Sequence, residues 1–392
     1  MAFAPLAGIR VIEMSHMIMG PSCGMFLAML GADVIKVEPP GGDRTRALSG
    51  MGAGFFPLFN RGKRSVRIDT RTGAGRKALR KLLAGADVFV ENFRDTALER
   101  QAASPEELRK EFPRLIIASH KGFLHGPYEN RTAMDEVVQM MTGLAYMTGP
   151  SGRPLRIGSS ANDIMGGLFG ALGVLGALME RDKTGEGAEL RVGLFENCML
   201  LVAQHMVPYE LEGYVAPPMP ERDFSWPVYD IFETKDKRQI FIGAITSGHW
   251  TALCDHLGLE LLKNDDGLKT SMQRIDARGW TLPFFRSKVA ALTASELSVE
   301  LERLGIPFSP IAQPVEMFDD PHVNRPGGLV ASRMADGRTF RAPGMPFEKD
   351  GEAVGGPSDV PGLGMDTEAV LREAGCPEEL IAMIIGQGGA AE

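Results

Sequence analysis

The chain has 392 residues and a mass of 42.4 kDa, too long for one small module and sized for two domains. Hydrophobic residues make up 44% and charged residues 23%, the balance of a globular chain rather than a disordered one. Lys and Arg number 42 against 50 Asp and Glu, a formal net charge of −8. This argues against a nucleic-acid or general polyanion binder and leaves room for a local basic pocket around a small phosphate ligand.

The four cysteines, Cys23, Cys198, Cys254 and Cys376, show no CxxC pairing, so reduced thiols in a cytoplasmic protein are expected, with neither a disulfide framework nor a structural zinc. The opening MAFAPLAGIRVIEM lacks the basic region and long apolar core of a signal peptide. In chain order, Ile9–Glu13 reads as a strand, Pro21–Ala32 as a helix and Asp33–Glu38 as a second strand, a βαβ unit that implies a parallel sheet. Gly73–Gly85 reads as an amphipathic helix, Asp87–Glu91 as a strand, Pro105–Glu111 as a helix capped by Ser104, and Leu115–Ser119 as a strand. This alternation predicts an open α/β sheet with helices on both faces. Ligands are then expected beyond the strand ends at Glu13, Glu38, Glu91 and Ser119.

Two helices are predicted next, Ala133–Thr148 and Asp163–Arg181, separated by the loop TGPSGRPLRIGSS. The second contains the apolar run Ile164–Met179, which is short for a membrane span and carries Gly166, Gly167, Gly170, Gly173 and Gly176. A buried helix packed closely on its neighbours is expected. A strand Glu189–Leu194 and a helix Glu196–Leu211 follow. The Pro-rich stretch Glu212–Asp223 reads as a linker. Strands at Pro227–Phe232 and Gln239–Ile242 and helices near Trp250–Leu257, Pro283–Leu292 and Ala294–Leu304 make a smaller α/β domain. A second linker near Pro314–Pro326 leads to a Gly/Pro-rich tail and two short helices, Thr367–Glu373 and Pro377–Ile385. The expected division is 1–211, 212–325 and 326–392.

No Walker A loop, no GxGxxG after the first strand and no HExxH is present. The GxSxG match GPSCG at Gly20–Gly24 puts Ser22 at the start of a helix, not on the tight turn a nucleophile elbow needs. The seven histidines show no metal-ligand spacing, and no metal is expected. Basic residues Arg44, Arg46, Arg61, Lys63, Arg64, Arg67, Arg71, Arg94 and Arg100 crowd the first third. They read either as a collar for a phosphate-bearing ligand or as a salt-bridged surface. Asp163 opens the glycine-rich helix. It, or Asn162, reads as the helix N-cap. Alternatively it is a reactive carboxylate at a helix N-terminus whose free N–H groups hold a developing oxyanion. On that reading Gly158, Gly166 and Gly167 would let a bulky ligand approach the backbone.

The segments PLAGIRVIEMSHMIMGPSCGMFLAMLGADVIKVEPPGGDRTR, NRGKRSVRID, ADVFVENFR, GPYENR, RPLRIGSSANDIMGGLFG and ERDKTGEGAELRVGLFEN together resemble the class III CoA-transferases, the group that includes formyl-CoA transferase and the carnitine and bile-acid CoA-transferases. The resemblance runs from residue 5 to about 200, weakens through the small domain and returns near the C-terminus. It implies a Rossmann-like parallel-sheet large domain built from both chain ends, a smaller α/β domain between them, and an interlocked homodimer. It implies coenzyme A as part of the substrate, and Asp163 as the nucleophile that passes through a mixed anhydride and an aspartyl-CoA thioester. By position it assigns CoA contacts to Ile68, Asp69, Thr70, Arg71, Asn92, Phe93, Arg94, Arg100, Thr132, Ala133, Met134 and Asp135. His16, Met17 and Ile18 fall to the acyl group. Formyl-CoA transferase has Gln at the place of Ile18. The α-methylacyl-CoA racemases have a His at the place of Met134, so a two-base racemase is disfavoured here. The pattern looks closest to branches acting on dicarboxylates such as succinate, mesaconate, malate or itaconate, with transfer between two carboxyls of one acid as a special case. His16, Arg44 and Arg46 are the cations available for a distal carboxylate of the acyl group, and Arg44 and Arg46 read equally as contacts to the CoA 3′-phosphate. A racemase and a non-catalytic CoA-binding protein are the competing readings.

Overall fold

The structure, a computed structural model, describes residues 3–222, 225–356 and 358–387. Two compact units divide the chain: Met1–Pro220 with Asn324–Glu392, and Glu221–Val323. The first is built on six strands, β1 (Arg10–Met14), β2 (Asp33–Glu38), β3 (Arg64–Arg67), β4 (Val88–Glu91), β5 (Ile116–Lys121) and β6 (Glu189–Gly193). They lie in the order β3-β2-β1-β4-β5-β6, and every neighbouring pair is parallel. The chain winds outward from β1 to β3, then crosses back to place β4 on the other side of β1. The strand order thus reverses between β1 and β4, where an open parallel sheet leaves a crevice beyond the strand C-termini.

The helices of this unit are α1 (Met19–Met29), α2 (Phe55–Phe59), α3 (Gly73–Ala84), α4 (Asp95–Arg100), α5 (Pro105–Glu111), α6 (Asp135–Met141), α7 (Leu144–Thr148), α8 (Ala161–Thr184) and α9 (Leu194–Glu212). One sheet face is covered by α3, whose Ala78, Leu79, Leu82 and Leu83 lie at helical spacing and are buried with Ile12, Ile35 and Phe89. The other face is covered by α1 and α8 through Leu27, Ala171 and Val174. Because both faces are covered, β4 is buried at every residue and reads as a continuous apolar run.

The second unit has the antiparallel strands β7 (Val228–Glu233), β8 (Gln239–Ala244) and β9 (Phe308–Pro310). Its helices are α10 (Ser247–Leu257), α11 (Glu260–Lys263), α12 (Ser271–Asp276), α13 (Arg278–Val289) and α14 (Ala294–Arg303), packed around Trp250, Phe285 and Leu297. The returning chain forms the hairpin β10 (Leu329–Arg333) and β11 (Thr339–Pro343), the short pair β12 (Glu348–Lys349) and β13 (Glu352–Ala353), and helices α15 (Thr367–Glu373) and α16 (Glu378–Gln387). Val370, Leu371, Ile381 and Ile384 then join the core beside α3.

One predicted element changes, and strands appear where none was predicted. The single helix over 133–148 breaks into α6 and α7 at Gly143, whose φ of +85° is a left-handed value that glycine tolerates. Arg64–Arg67 is a strand no apolar run announced, because only Ser65 and Val66 of its four residues are buried. The Gly/Pro-rich tail contributes the strand β11 to the β10–β11 hairpin. Among the described residues α8 alone is long and apolar enough to cross a membrane, yet its glycine face is buried against α1.

Candidate active site

That glycine face sets the site. Gly166, Gly167 and Gly170 follow Asp163 at i+3, i+4 and i+7, so all four lie along one side of α8. A methyl group on Gly167 would collide with Ser22 Oγ and stand 2.7 Å from the Met19 carbonyl oxygen and 2.8 Å from the Cys23 nitrogen. One on Gly166 would stand 2.5 Å from Met19 Cε, and one on Gly170 would strike the His120 ring. The helices therefore touch nearly backbone to backbone. Gly166 and Gly167 serve this packing and not ligand access, a correction to the sequence reading; Gly158 does face open space. Ser22 is fully buried and donates to the Met19 carbonyl at 2.9 Å, so it is no nucleophile.

The close approach brings the first turn of α8 to the crevice at the strand ends. The N-cap is Ser160, without a side-chain cap bond. Neither Asn162 nor Asp163 caps the helix, which overturns the capping alternative. Asn162 is buried, donates to the Leu194 carbonyl at 3.2 Å and accepts from Asn197 Nδ2 at 2.6 Å, tying α8 to α9. Asp163 sits inside the first turn, where N–H groups have no intrahelical acceptor.

A cleft of about 850 Å³ opens here. Its walls include His16, Met17 and Ile18 after β1, Arg44 after β2, Asn92 and Phe93 after β4, Ala133, Met134 and Asp135 at the start of α6, and Asp163. Each segment is held by its own contacts. The Asn92 side chain bridges the switch point: it accepts from the His16 backbone nitrogen at 3.0 Å and donates to the His16 carbonyl at 2.7 Å. Met17 has φ +64°, a strained value for a non-glycine residue of the kind that clusters at ligand sites. Ile18 is buried with Met25 and Phe59. The His16 and Phe93 rings lie 5.3 Å apart.

Beneath this loop is a cluster of buried charges. Lys36 Nζ donates to the Ser15 carbonyl at 2.8 Å and pairs with Glu13 at 3.2 Å and Asp43 at 3.0 Å. Lys63 pairs with Glu13 at 2.6 Å and donates to the Pro21 carbonyl at 2.9 Å. Desolvation pulls the Lys63 ammonium down to about 8. Arg46 grips Glu38 through two bonds of 2.7 and 2.6 Å. The basic collar therefore divides. Arg46, Arg61 and Lys63 are internal struts, and Arg64 pairs with Asp33 and Glu373. Only Arg44 of that set lines the cleft.

Asp135 and Asp163 share the opposite wall. Asp135 accepts from Gln139 Nε2 at 2.7 Å, and Arg156 lies 3.8 Å from it and 2.5 Å from Glu136. Gln139 also receives the Ile157 N–H at 2.9 Å, which fastens the loop before α8 to α6. Burial, then the nearby Asp135 charge, pushes the Asp163 carboxyl up to about 7; Arg156 opposes both.

The remaining sequence candidates stand outside the cleft. Ile68 places its side chain in the core. Asp69 and Arg71 pair with each other at 2.8 Å on the surface, and Thr70 is part of a hydrogen bond with Gln101 at 2.5 Å. Arg94 donates to Thr132 Oγ1 at 2.8 Å, and Arg100 to the Thr96 carbonyl at 3.1 Å. Sequence reasoning missed Arg156, although RPLRIGSS carried it, and Lys36, whose place inside the strand DVIKVE gives no local sign that its side chain reaches the cleft. Among the described residues no group of three or more His, Cys, Asp and Glu could hold a metal ion.

A Rossmann-type sheet with a carboxylate facing its switch-point crevice defines a class. The chain belongs to CoA-transferase family III, whose model matches residues 6–367. It is 32% identical over 346 residues to the succinate–glutarate CoA-transferase of Agrobacterium fabrum, covering 85% of this chain and 86% of that one. It is 31% identical over 337 residues to the succinyl-CoA:mesaconate CoA-transferase of Haloarcula hispanica, covering 81% and 83%. The crystal structure of a CAIB/BAIF family protein from Brucella suis superposes with a TM-score of 0.86 at 30% identity, over 95% of this chain and 99% of that one. The chain is an enzyme, a CoA-transferase acting on CoA thioesters.

Proposed function

We propose that the protein moves CoA between an acyl-CoA and a dicarboxylic acid through Asp163. The observation that carries this is the Asp163 carboxylate in the first turn of α8, on the cleft wall, half-buried and beside Asp135. The Asp163 oxygen attacks the thioester carbonyl carbon. The tetrahedral oxyanion collapses, the C–S bond breaks, and CoA leaves as a thiolate from a mixed anhydride. The thiolate attacks the Asp163 carboxyl carbon and releases the first acid, leaving an aspartyl-CoA thioester. The incoming carboxylate then attacks that carbon and expels the thiolate, which attacks the new acyl carbon and frees Asp163. No water is consumed, so the site must exclude it. Displacing a thiolate by a carboxylate is uphill because thiolate is the more basic leaving group. A carboxyl raised toward 7 narrows that gap. The unpaired N–H groups at the start of α8 are the candidate oxyanion donors.

CoA is proposed to run from the surface segment Asp69–Arg71 past Asn92–Arg94 and Arg100 to Thr132–Asp135, with the acyl group against His16, Met17 and Ile18. Asn92 would act there by fixing the His16 backbone. The relatives named for succinate, glutarate and mesaconate support a dicarboxylate. A cytoplasmic, interlocked homodimer belongs to the same reading. Four free, buried cysteines and the exposed apolar side chains of α8 and α9 support it.

The test mixes purified protein with succinyl-CoA and a pool of mono- and dicarboxylic acids and reads CoA species by mass spectrometry, beside Asp163→Ala. New acyl-CoAs from wild type only are expected, with a CoA adduct on the Asp163 peptide. Undiminished exchange by Asp163→Ala would remove the nucleophile assignment.

A further inference from the structure

Four cationic side chains line the cleft: Lys36, Arg44, Lys121 and Arg156. Three are neutralised by acids of the protein itself. Lys36 faces Glu13 and Asp43. Lys121 pairs with Glu91 at 2.9 Å and Asp95 at 2.7 Å. Arg156 pairs with Glu136 and approaches Asp135. Arg46, the other arginine of the GGDRTR segment, is spent on Glu38 and stacks 3.8 Å from the Phe56 ring centre.

Arg44 differs. It has no acid partner among the described residues, and its side chain is exposed to the cleft. Its backbone is nevertheless fixed, because Asp43 caps the turn Arg44–Ala47 by accepting from Thr45 N at 2.9 Å and Thr45 Oγ1 at 2.7 Å. The Arg44 charge acts on His16 across the same wall. Desolvation, aided by Lys36 and Arg44 and opposed by Asp43 and Asn92, holds that imidazole below its ordinary value.

We propose that Arg44 is the specificity-determining residue of this site. It pairs with the one carboxylate that stays ionised when a dicarboxylic acid is held as its half-thioester, and His16 lines the same cleft beside it. The assignment rests on the CoA-transfer reading and adds a count of charge. A dicarboxylate gives up one charge on becoming a thioester and keeps one. A single unpaired arginine matches that remainder. A monocarboxylate would leave the guanidinium facing an alkyl chain, and a tricarboxylate would bring a second charge with no counterpart. The same guanidinium chemistry suits the 3′-phosphate of CoA, and the experiment separates the two.

Binding is measured by calorimetry in the Asp163→Ala protein, so that no turnover is needed. Succinyl-CoA and butyryl-CoA have acyl chains of equal carbon count and differ in the distal carboxylate. Succinyl-CoA is expected to bind about 10- to 100-fold more tightly, the range of a charge-assisted hydrogen bond. Arg44→Gln should bring the ratio close to one, and Arg44→Lys should restore part of it. Equal binding of the two thioesters, or an unchanged ratio in Arg44→Gln, would overturn the proposal. So would a loss in Arg44→Gln common to both thioesters and absent with their dephospho-CoA forms, which would assign Arg44 to the phosphate. Exchange activity is scored separately with wild type, so failure of CoA transfer and failure of the carboxylate assignment are distinct results.

Discussion

Asp163 is pulled two ways. Its place at a helix N-terminus favours the charged form, whereas burial and Asp135 favour the proton and prevail, raising the group from an ordinary 3.8 to about 7. Two outcomes follow. Attack requires the carboxylate, so kcat/KM should fall on acidification with an apparent midpoint near 7 in free enzyme; a flat profile down to about pH 5 would contradict it. The second concerns stability. A carboxyl with a raised native pKa binds its proton more tightly folded than unfolded. Its contribution therefore declines as pH rises from 3.8 to about 7 and stays unfavourable above that. Asp163→Asn removes the penalty. Its Tm should exceed that of wild type by several degrees at about pH 8 and by little at about pH 4. An equal difference at both pH values, read by scanning calorimetry, would show that the carboxyl is not perturbed.

At the scale of elements, the packing of α8 on α1 aims Asp163 into the cleft. Gly167→Ala places a methyl against Met19 O and Cys23 N, which are backbone atoms and cannot rotate away. The helices must separate, at a cost of about 1–3 kcal/mol. Because Asp163 lies one turn along the same face, kcat should fall more than the affinity for CoA. Gly176→Ala, with nothing within 4 Å of the added carbon, is the control and should leave both unchanged. The buried charges under the β1–α1 loop make a comparable prediction. Lys36→Met leaves buried Asp43 without its cation and Glu13 with Lys63 alone, so a loss of about 3–5 kcal/mol is expected in urea unfolding. A loss below about 1 kcal/mol would mean that the cluster is not needed to hold the loop.

For the whole molecule, α8 and α9 leave Leu172 59%, Met179 66%, Leu200 59% and Leu211 77% exposed. So much apolar side chain on long helices is unusual for a free monomer surface. Light scattering is expected to give twice 42.4 kDa. The pair Leu172→Glu and Leu200→Glu should lower that mass, whereas a wild-type monomer would remove the dimer from the functional reading.

Much was legible beforehand. The strands that became β1, β2, β4 and β5 and the amphipathic α3 were written as local periodicities, and periodicity is a property of neighbouring residues. The motif set indicated the family, and the glycines of Ile164–Met179 indicated tight helix packing. What escaped was long-range. The strand β3 is defined by its partner β2 and not by its own four residues. The break at Gly143 depends on a backbone turn that composition does not impose. The basic collar could not be divided by reading it, because whether an arginine is free depends on acids distant in sequence. Glu373 lies 309 residues from Arg64, and Arg46 meets Glu38 only through the turn between them. The sequence alone determined the alternating α/β plan, the family and the carboxylate that merits attention. Tertiary structure alone decided that Asp163 is a half-buried first-turn residue and not a cap, that Gly166 and Gly167 hold helices and not ligand, and that Arg44 keeps its charge unspent. The physical reason is that propensity and spacing act between near neighbours, whereas burial, ion pairing and pKa are set by whatever the fold brings into contact.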